Sequence, residues 1–302
     1  MRSRGMLAVL SLILALGVRD IAAQSCSGTT TITTAPSGCA TWTGDIIVPT
    51  AAGSDGPDEL NFDGLEEIQG SLNITNQSHL VTLSSDSLHT VTDRVVLLNL
   101  LILSTVDLPE LTEVGDLILI SLPGLQRTSL LESLQTLSSL QIINSASGSL
   151  RGFSLETIRD VQIRNNPFLQ EINLQPYNIT GDVSISANGR ELELSMPNLE
   201  TAHNVTLANC TSISIPSLRT ADNVNVIWNF IDEFDGMPLL NRVDGALAIV
   251  HNWNMSRIAL PGLQRIGGGL SILNNTELRF LDELYTLQRV GGAIQLEGPF
   301  DR

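Results

Sequence analysis

The chain has 302 residues, a formal net charge of −16, only 4% aromatic residues and no lysine, so all 16 basic side chains are arginine. An acidic chain without a basic stripe excludes a nucleic-acid groove and argues against docking on anionic lipid. With so few rings, the core must be built from Leu, Ile and Val.

Residues 1–23 read as a secretory signal peptide. Arg2 and Arg4 form its basic start, Met6 to Val18 an apolar run too short to span a bilayer stably, and Ala22-Ala23 the small residues for cleavage before Gln24. A single membrane anchor is the rival reading of the same run. Removing Arg2, Arg4, Arg19 and Asp20 takes away a net charge of about +2, so the mature chain is the more acidic. Residues 24–60 are a Thr/Ser/Gly/Pro-rich lead-in holding Cys26 and Cys39. In an oxidising compartment these two are expected to form a disulfide that caps the first coil, worth about 3 kcal/mol on the chain-entropy model. The third cysteine, Cys210, is left over. It reads as a small buried apolar residue in preference to an intermolecular bridge.

From residue 61 to 302 one pattern repeats about every 22 residues: L-x-x-(V/I)-x-(G/D)-x-(L/V/I)-x-(I/L)-x-N. Copies begin at Leu65, Leu88, Leu111, Leu134, Leu155, Leu199, Leu218, Leu240, Leu263 and Leu287. An imperfect copy, Ile179 to Asn188, fills the long gap. A constant period of this size means a solenoid. Within each copy the alternation before the Asn (Leu72-Asn73-Ile74, Leu117-Ile118-Leu119, Leu270-Ser271-Ile272) is a short strand. Gly70, Gly115, Asp160, Gly181-Asp182, Asn204, Asn223, Gly245 and Gly268 read as turns before those strands. Pro216 and Pro261 between strands argue against long helices. The fold expected is a right-handed parallel β-solenoid of about eleven coils, about 50 Å long at the usual strand spacing.

Asn recurs after the strand at Asn76, Asn99, Asn144, Asn165, Asn188, Asn209, Asn229, Asn252 and Asn274. The register predicts a ladder inside the solenoid, each amide satisfying backbone groups at a bend. Seven of these and other asparagines stand in N-x-(S/T) sequons: Asn73, Asn76, Asn178, Asn204, Asn209, Asn254 and Asn274. Asn76, Asn209 and Asn274 lie on the ladder and are expected inward. Asn73, Asn178, Asn204 and Asn254 lie on outward or turn positions and are the expected acceptors of sugar.

The phrases "IPSLRTADNVNVIWN", "LPGLQRIGGGLSILNNTEL" and "LQRVGGAIQLEGPF" resemble the fungal cell-wall organisation proteins of the sporulation-specific/extracellular-mutant family. Members are usually GPI-anchored and carry repeats like those of receptor L domains. The family pattern is matched by Pro261, Leu263, Ile266, Gly267, Gly268, Leu270, Ile272, Asn274, Asn275 and Leu278, then by Gly291 to Phe300. The likeness covers essentially the whole mature chain. Glu283-Leu284-Tyr285 replaces a common Gly-Phe-Pro. Relatives continue past the position of Arg302 through a Ser-rich stalk and an apolar tail for GPI attachment, so the anchor is not carried over. The expectation is either a truncated chain or a secreted, unanchored variant.

Chemistry is hard to place on this array. A β-helix that cuts polysaccharide needs carboxylates converging on one sheet face. The outward strand positions are Asn73, Val96, Ile118, Gln141, Gln162, Ser184, Thr206, Asn225, Ala248, Ser271 and Gln295, with no acid among them. Glu66 and Glu67 have no partner one coil on, and Asp232, Glu233 and Asp235 lie in a loop. His79, His89, His203 and His251 share no metal-ligand or triad spacing. No catalytic residue, cofactor or metal is assigned. Trp228 and Trp253 lie one coil apart, with Phe230 near the first. They read as a stacked apolar row filling a solenoid corner, or alternatively as a platform for a sugar ring. By resemblance the protein is a secreted, non-enzymatic glycoprotein of fungal cell-wall organisation, with wall glycans or wall proteins as partners. The rival readings are a receptor-type module for a protein or glycan ligand and, less favoured, a polysaccharide-cleaving β-helix.

Overall fold

A computed structural model of the chain describes residues 25–28, 30–31, 38–48, 50, 56–128 and 130–301. Residues 1–23, read above as a leader, lie outside these. The described chain is a parallel β-solenoid of about 11 turns. Its long sheet receives a strand from nearly every coil. The registers run without a break from Ile47 through Asn73, Val96, Ile118, Gln141, Gln162 and Ser184 to Thr206, Asn225, Ala248, Ser271 and Gln295. Every outward position expected from the alternation therefore stands in one row. Except beside Gln295, where Ile294 and Leu296 are exposed, the residues on either side of each, such as Val161 and Ile163 or Leu247 and Ile249, point inward and are buried. This is the period-two pattern of a strand with one face in the core.

The opposite wall is made of short strands in three separate sheets. Glu59–Asn61, Thr82–Ser84, Thr105–Asp107 and Arg127–Thr128 form the first. Ser149–Gly152, Glu171–Leu174, Leu192–Ser195 and Cys210–Ser214 form the second, and Glu233–Phe234 with Arg257–Ile258 the third. Among the described residues the helices are one α-turn at Leu130–Ser133 and one 3-10 turn at Asp282–Leu284. None is long and apolar enough to cross a membrane.

The leucine that opens each copy of the motif is buried from Leu65 to Leu263. In the coil without such a leucine, Pro176 takes its place. It precedes Asn178 by two residues, as Leu155 precedes Thr157 and Leu199 precedes Thr201, and these three are in register. Pro176 is buried as well. The lead-in already contributes rungs: Ser25–Ser27 pairs with Thr41–Thr43, and Ile46–Val48 with Leu72–Thr75. Cys26 and Cys39 are disulfide-bonded, with their Cα atoms 5.8 Å apart. Cys210 is a free, buried thiol.

The turn expected before each strand is in several coils a bulge within one longer strand. Glu113–Leu122, Asn178–Ser186, Thr201–Ala208 and Thr220–Ile227 run straight through Gly115, Gly181-Asp182, Asn204 and Asn223. The register slips by a residue between Val114 and Asp116 and between Ile179 and Asp182. A bulge accommodates the extra residue without giving up the rest of the ladder. Gly115 is forced at its bulge, because a Cβ there would collide with the Asp93 carbonyl oxygen.

The single Asn ladder expected from the sequence is in fact two adjacent rows. Asn76, Asn99, Ser121, Asn144, Asn165, Ala187, Asn209, Trp228, His251 and Asn274 all adopt left-handed backbone at the bend, with φ from 53 to 63°. Their side chains point outward: Asn76, Asn99, Asn144 and Asn165 are exposed, and Asn209 and Asn274 half-buried. The inward row is the next residue in each coil: Gln77, Leu100, Leu122, Ser145, Asn166, Asn188, Cys210, Asn229, Asn252 and Asn275, all buried. Asn188, Asn229 and Asn252 are thus inside as expected, whereas Asn76, Asn209 and Asn274 are not. A left-handed residue breaks the strand's alternation by one residue, so the inward place that it would have taken passes to its successor. Asn tolerates that conformation better than other side chains do.

Candidate functional site

The inward Asn row is structural. Asn166 Oδ1 accepts from Ser145 N at 2.8 Å, Asn229 Oδ1 from Cys210 N at 2.9 Å, and Asn252 Oδ1 from Asn229 N at 2.9 Å. Asn229 Nδ2 donates to Leu207 O at 3.0 Å, and Asn252 Nδ2 to Val226 O at 2.9 Å. Each buried amide accepts from a backbone N–H at the bend and donates to a strand carbonyl one coil earlier. Cys210 occupies this row and interrupts it. Burial pushes its thiol pKa up to about 12, so it is neither a nucleophile nor a ready ligand at neutral pH.

The open face of the long sheet carries a shallow groove of about 690 Å³. Gln141, Gln162, Ser184, Thr206 and Asn225 form its floor, and Arg164 stands at one side. The floor residues hold each other across rungs. Gln141 donates to Gln162, and Asn225 Nδ2 donates to Thr206 Oγ1 at 3.4 Å.

The other side of the groove holds acids that the reading of outward positions missed. They stand two residues upstream of the floor row and so on the same face of the strands by ordinary alternation. Asp116, Ser139 and Asp160 are in register, as are Asp182, Asn204 and Asn223. All six are tied into a polar chain. Ser139 Oγ donates to Asp116 Oδ1 at 2.6 Å, and Arg159 Nη2 donates to the same oxygen at 3.2 Å. Asp182 N donates to Asp160 Oδ1 at 2.9 Å, and Arg159 Nε to Asp160 Oδ2 at 2.8 Å. Asn204 Nδ2 then donates to Asp182 Oδ1, and Asn223 Nδ2 to Asn204 Oδ1, both at 2.8 Å. Burial alone would raise the Asp160 pKa. The Asp182 N–H and the Arg159 guanidinium outweigh it and hold the carboxyl below its ordinary value. The signal available in the sequence was the recurrence of Asp or Asn at the supposed turn, read as turn chemistry.

The other expected residues are scattered. Asn73 is half-buried on the strand face, and Asn254 is exposed in its turn. Asn178 Nδ2 donates to Glu156 O at 3.1 Å while its Oδ1 accepts from Thr201 Oγ1 at 2.7 Å. Asn204 belongs to the polar chain along the groove. His203 Nδ1 lies 2.6 Å from Asp222 Oδ2, His89 Nε2 lies 4.0 Å from Glu110 Oε2, and His251 stacks on Trp228. No group of three or more potential metal ligands gathers among the described residues.

Trp228 and Trp253 meet edge-on rather than stacked, and on the outside of the bend. Trp228, Phe230 and Trp253 are 42%, 43% and 41% exposed. Trp228 lies over His251 with ring centroids 4.3 Å apart and planes 21° from parallel. Trp253 meets Trp228 edge-on at 5.3 Å, and Phe230 meets Trp253 edge-on at 6.4 Å. The row fills no corner of the core.

No family model and no solved structure matches this chain. It is 33% identical over 297 residues to a cell surface GPI-anchored protein of Arthroderma benhamiae, covering 96% of this chain and 75% of that protein. Sporulation-specific protein 2 of Saccharomyces cerevisiae is 30% identical over 79% of this chain and 47% of its own length. Protein ecm33 of Aspergillus fumigatus is 29% identical over 68% of this chain and 52% of its own. The chain thus spans three quarters of the first relative and about half of the other two. At this identity and coverage, and with the β-solenoid and the Cys26–Cys39 disulfide in place, the chain belongs to the ecm33 and sporulation-specific family of fungal cell-wall and cell-surface proteins, a family with GPI-anchored members.

Proposed function

We propose that this protein is a secreted, non-enzymatic wall glycoprotein that contributes to cell-wall organisation by presenting the groove of its long sheet to wall glycans. Residues 1–23 serve as the leader and residues 24–60 as the cap of the array in this reading. N-linked sugar falls on some of Asn73, Asn178, Asn204 and Asn254, of which Asn254 is the most exposed.

The observation that carries the proposal is the state of the carboxylates beside the groove. Asp116, Asp160 and Asp182 all accept hydrogen bonds within the polar chain. A glycosidase needs one carboxyl with a raised pKa to protonate the leaving oxygen. Asp160 is displaced the other way, by the Asp182 N–H and Arg159. The floor offers amides and hydroxyls at the rung spacing of about 4.8 Å, which suits hydroxyl-rich chains bound without chemistry. A glycan array scored beside a reducing-sugar release assay tests the proposal. Retention of glycan without release supports it, and release of reducing ends by the purified chain overturns it.

A further inference from the structure

The aromatic row on the outer bend is surrounded by three sequons. Asn209, Trp228, His251 and Asn274 are successive rungs of the left-handed row. Asn209 opens the sequon Asn209-Cys210-Thr211, and Asn274 opens Asn274-Asn275-Thr276. Asn254 of the third sequon directly follows Trp253. The contacts join these parts. Asn209 Nδ2 donates to Trp228 O at 3.4 Å, and Thr276 Oγ1 donates to Trp253 O at 2.9 Å. Rungs stand about 4.8 Å apart, close to the width of one pyranose ring. Asn209 is one rung from Trp228 and Asn274 one rung from His251, within reach of a ring attached at either asparagine.

We propose that Asn209 and Asn274 are N-glycosylated and that the patch of Trp228, Phe230, His251 and Trp253 seats the chain's own N-linked sugars, whose apolar faces cover the exposed rings. This rests on the reading of secretion given above. The step requires a lipid pyrophosphate-linked oligosaccharide as donor. The bond from Nδ2 to the anomeric carbon forms and the bond from that carbon to the pyrophosphate oxygen breaks. One proton leaves Nδ2, and nothing is oxidised or reduced. A glycosylated amide keeps one N–H, so the bond from Asn209 to Trp228 O survives. So does the one that Asn209 Oδ1 accepts from Ala187 N at 3.0 Å. Exposed aromatic surface of this kind normally has an occupant. Sugars anchored at both ends of the row would obstruct a protein partner.

The full chain should be expressed in a eukaryotic host behind a heterologous secretory leader and, in parallel, behind its own. Failure of export with its own leader alone would refute the secretion reading and leave the glycan result standing. Site-resolved mass spectrometry is expected to find sugar on Asn209 and Asn274. Tryptophan emission is then compared after trimming to the first sugar and after complete removal. Complete removal should red-shift the emission and increase acrylamide quenching, trimming should do neither, and W228A/W253A should abolish the difference. Empty Asn209 and Asn274 would overturn the proposal. So would an emission and quenching profile indifferent to complete removal.

Discussion

At the scale of single residues, the bend assigns different work to neighbours. The inward Asn needs both ends of its amide, whereas the outward left-handed residue needs only tolerance of its backbone. Asn252→Ala leaves Asn229 N–H without its acceptor and takes a side-chain donor from Val226 O. It should cost at least about 2 kcal/mol, because a buried group that loses its partner pays its full desolvation. Asn99 is exposed and left-handed. Asn99→Gly should be close to neutral, while Asn99→Val should cost about 1–2 kcal/mol because its branched Cβ crowds the left-handed backbone. Denaturant titration of the three variants checks the order. Acidification probes Asp160. Its folded pKa lies below its unfolded value, so its contribution is fully present above the ordinary carboxylate range. It is lost as pH falls through the folded value. Asp160→Asn should flatten the decline in stability below about pH 4, and at neutral pH it should lower stability by the contribution that the wild type loses in acid. Which of two adjacent residues points inward was not legible from one period count. The doublets Asn165-Asn166 and Asn274-Asn275 carried the information, since each fills both rows at once.

At the scale of elements, strand alternation was enough to place every outward residue of the long sheet in register, because a one-residue slip would turn Leu and Ile to solvent. The bulges were not legible in the same way. Asp and Asn at the start of a strand carry the same signal whether the chain turns or merely slips one residue. The groove's acidic side was lost with them. The first coils depend on a covalent tie as well as on packing. Cys26 sits in the strand Ser25–Ser27, which pairs with Thr41–Thr43, and Cys39 is buried beside that pair. Replacing both cysteines with serine should lower stability by about 3 kcal/mol if the loop-entropy account holds. Thermal unfolding of the secreted variant measures it. Cys210 should remain inert to thiol reagents in the native protein and react once per chain in denaturant, since its burial keeps it protonated. Leu270, buried between Leu247 and Ile294 in register, is the probe of stacking. Leu270→Asp buries an unpaired charge and should open the array locally at a cost of several kcal/mol.

At the scale of the whole molecule, the repeats build one continuous scaffold with two distinct outer surfaces: a polar groove on the flat face and an aromatic row on the bend. A solenoid fold by itself says nothing of function, and the cell-wall assignment comes from kinship with named fungal surface proteins. The structure adds that the carboxylates nearest the groove are already held by their neighbours, which is the observation behind the proposed non-catalytic role. The most direct test is complementation of a strain lacking the gene, scored by growth on wall-perturbing dyes. Wild type, Asp160→Asn and Asp182→Asn should restore resistance alike, because the amides keep the oxygens that accept from Asp182 N and Asn204 Nδ2. Leu270→Asp should fail. Loss of rescue by either amide variant, with the protein still folded and exported, would contradict the account and point to a hydrolase.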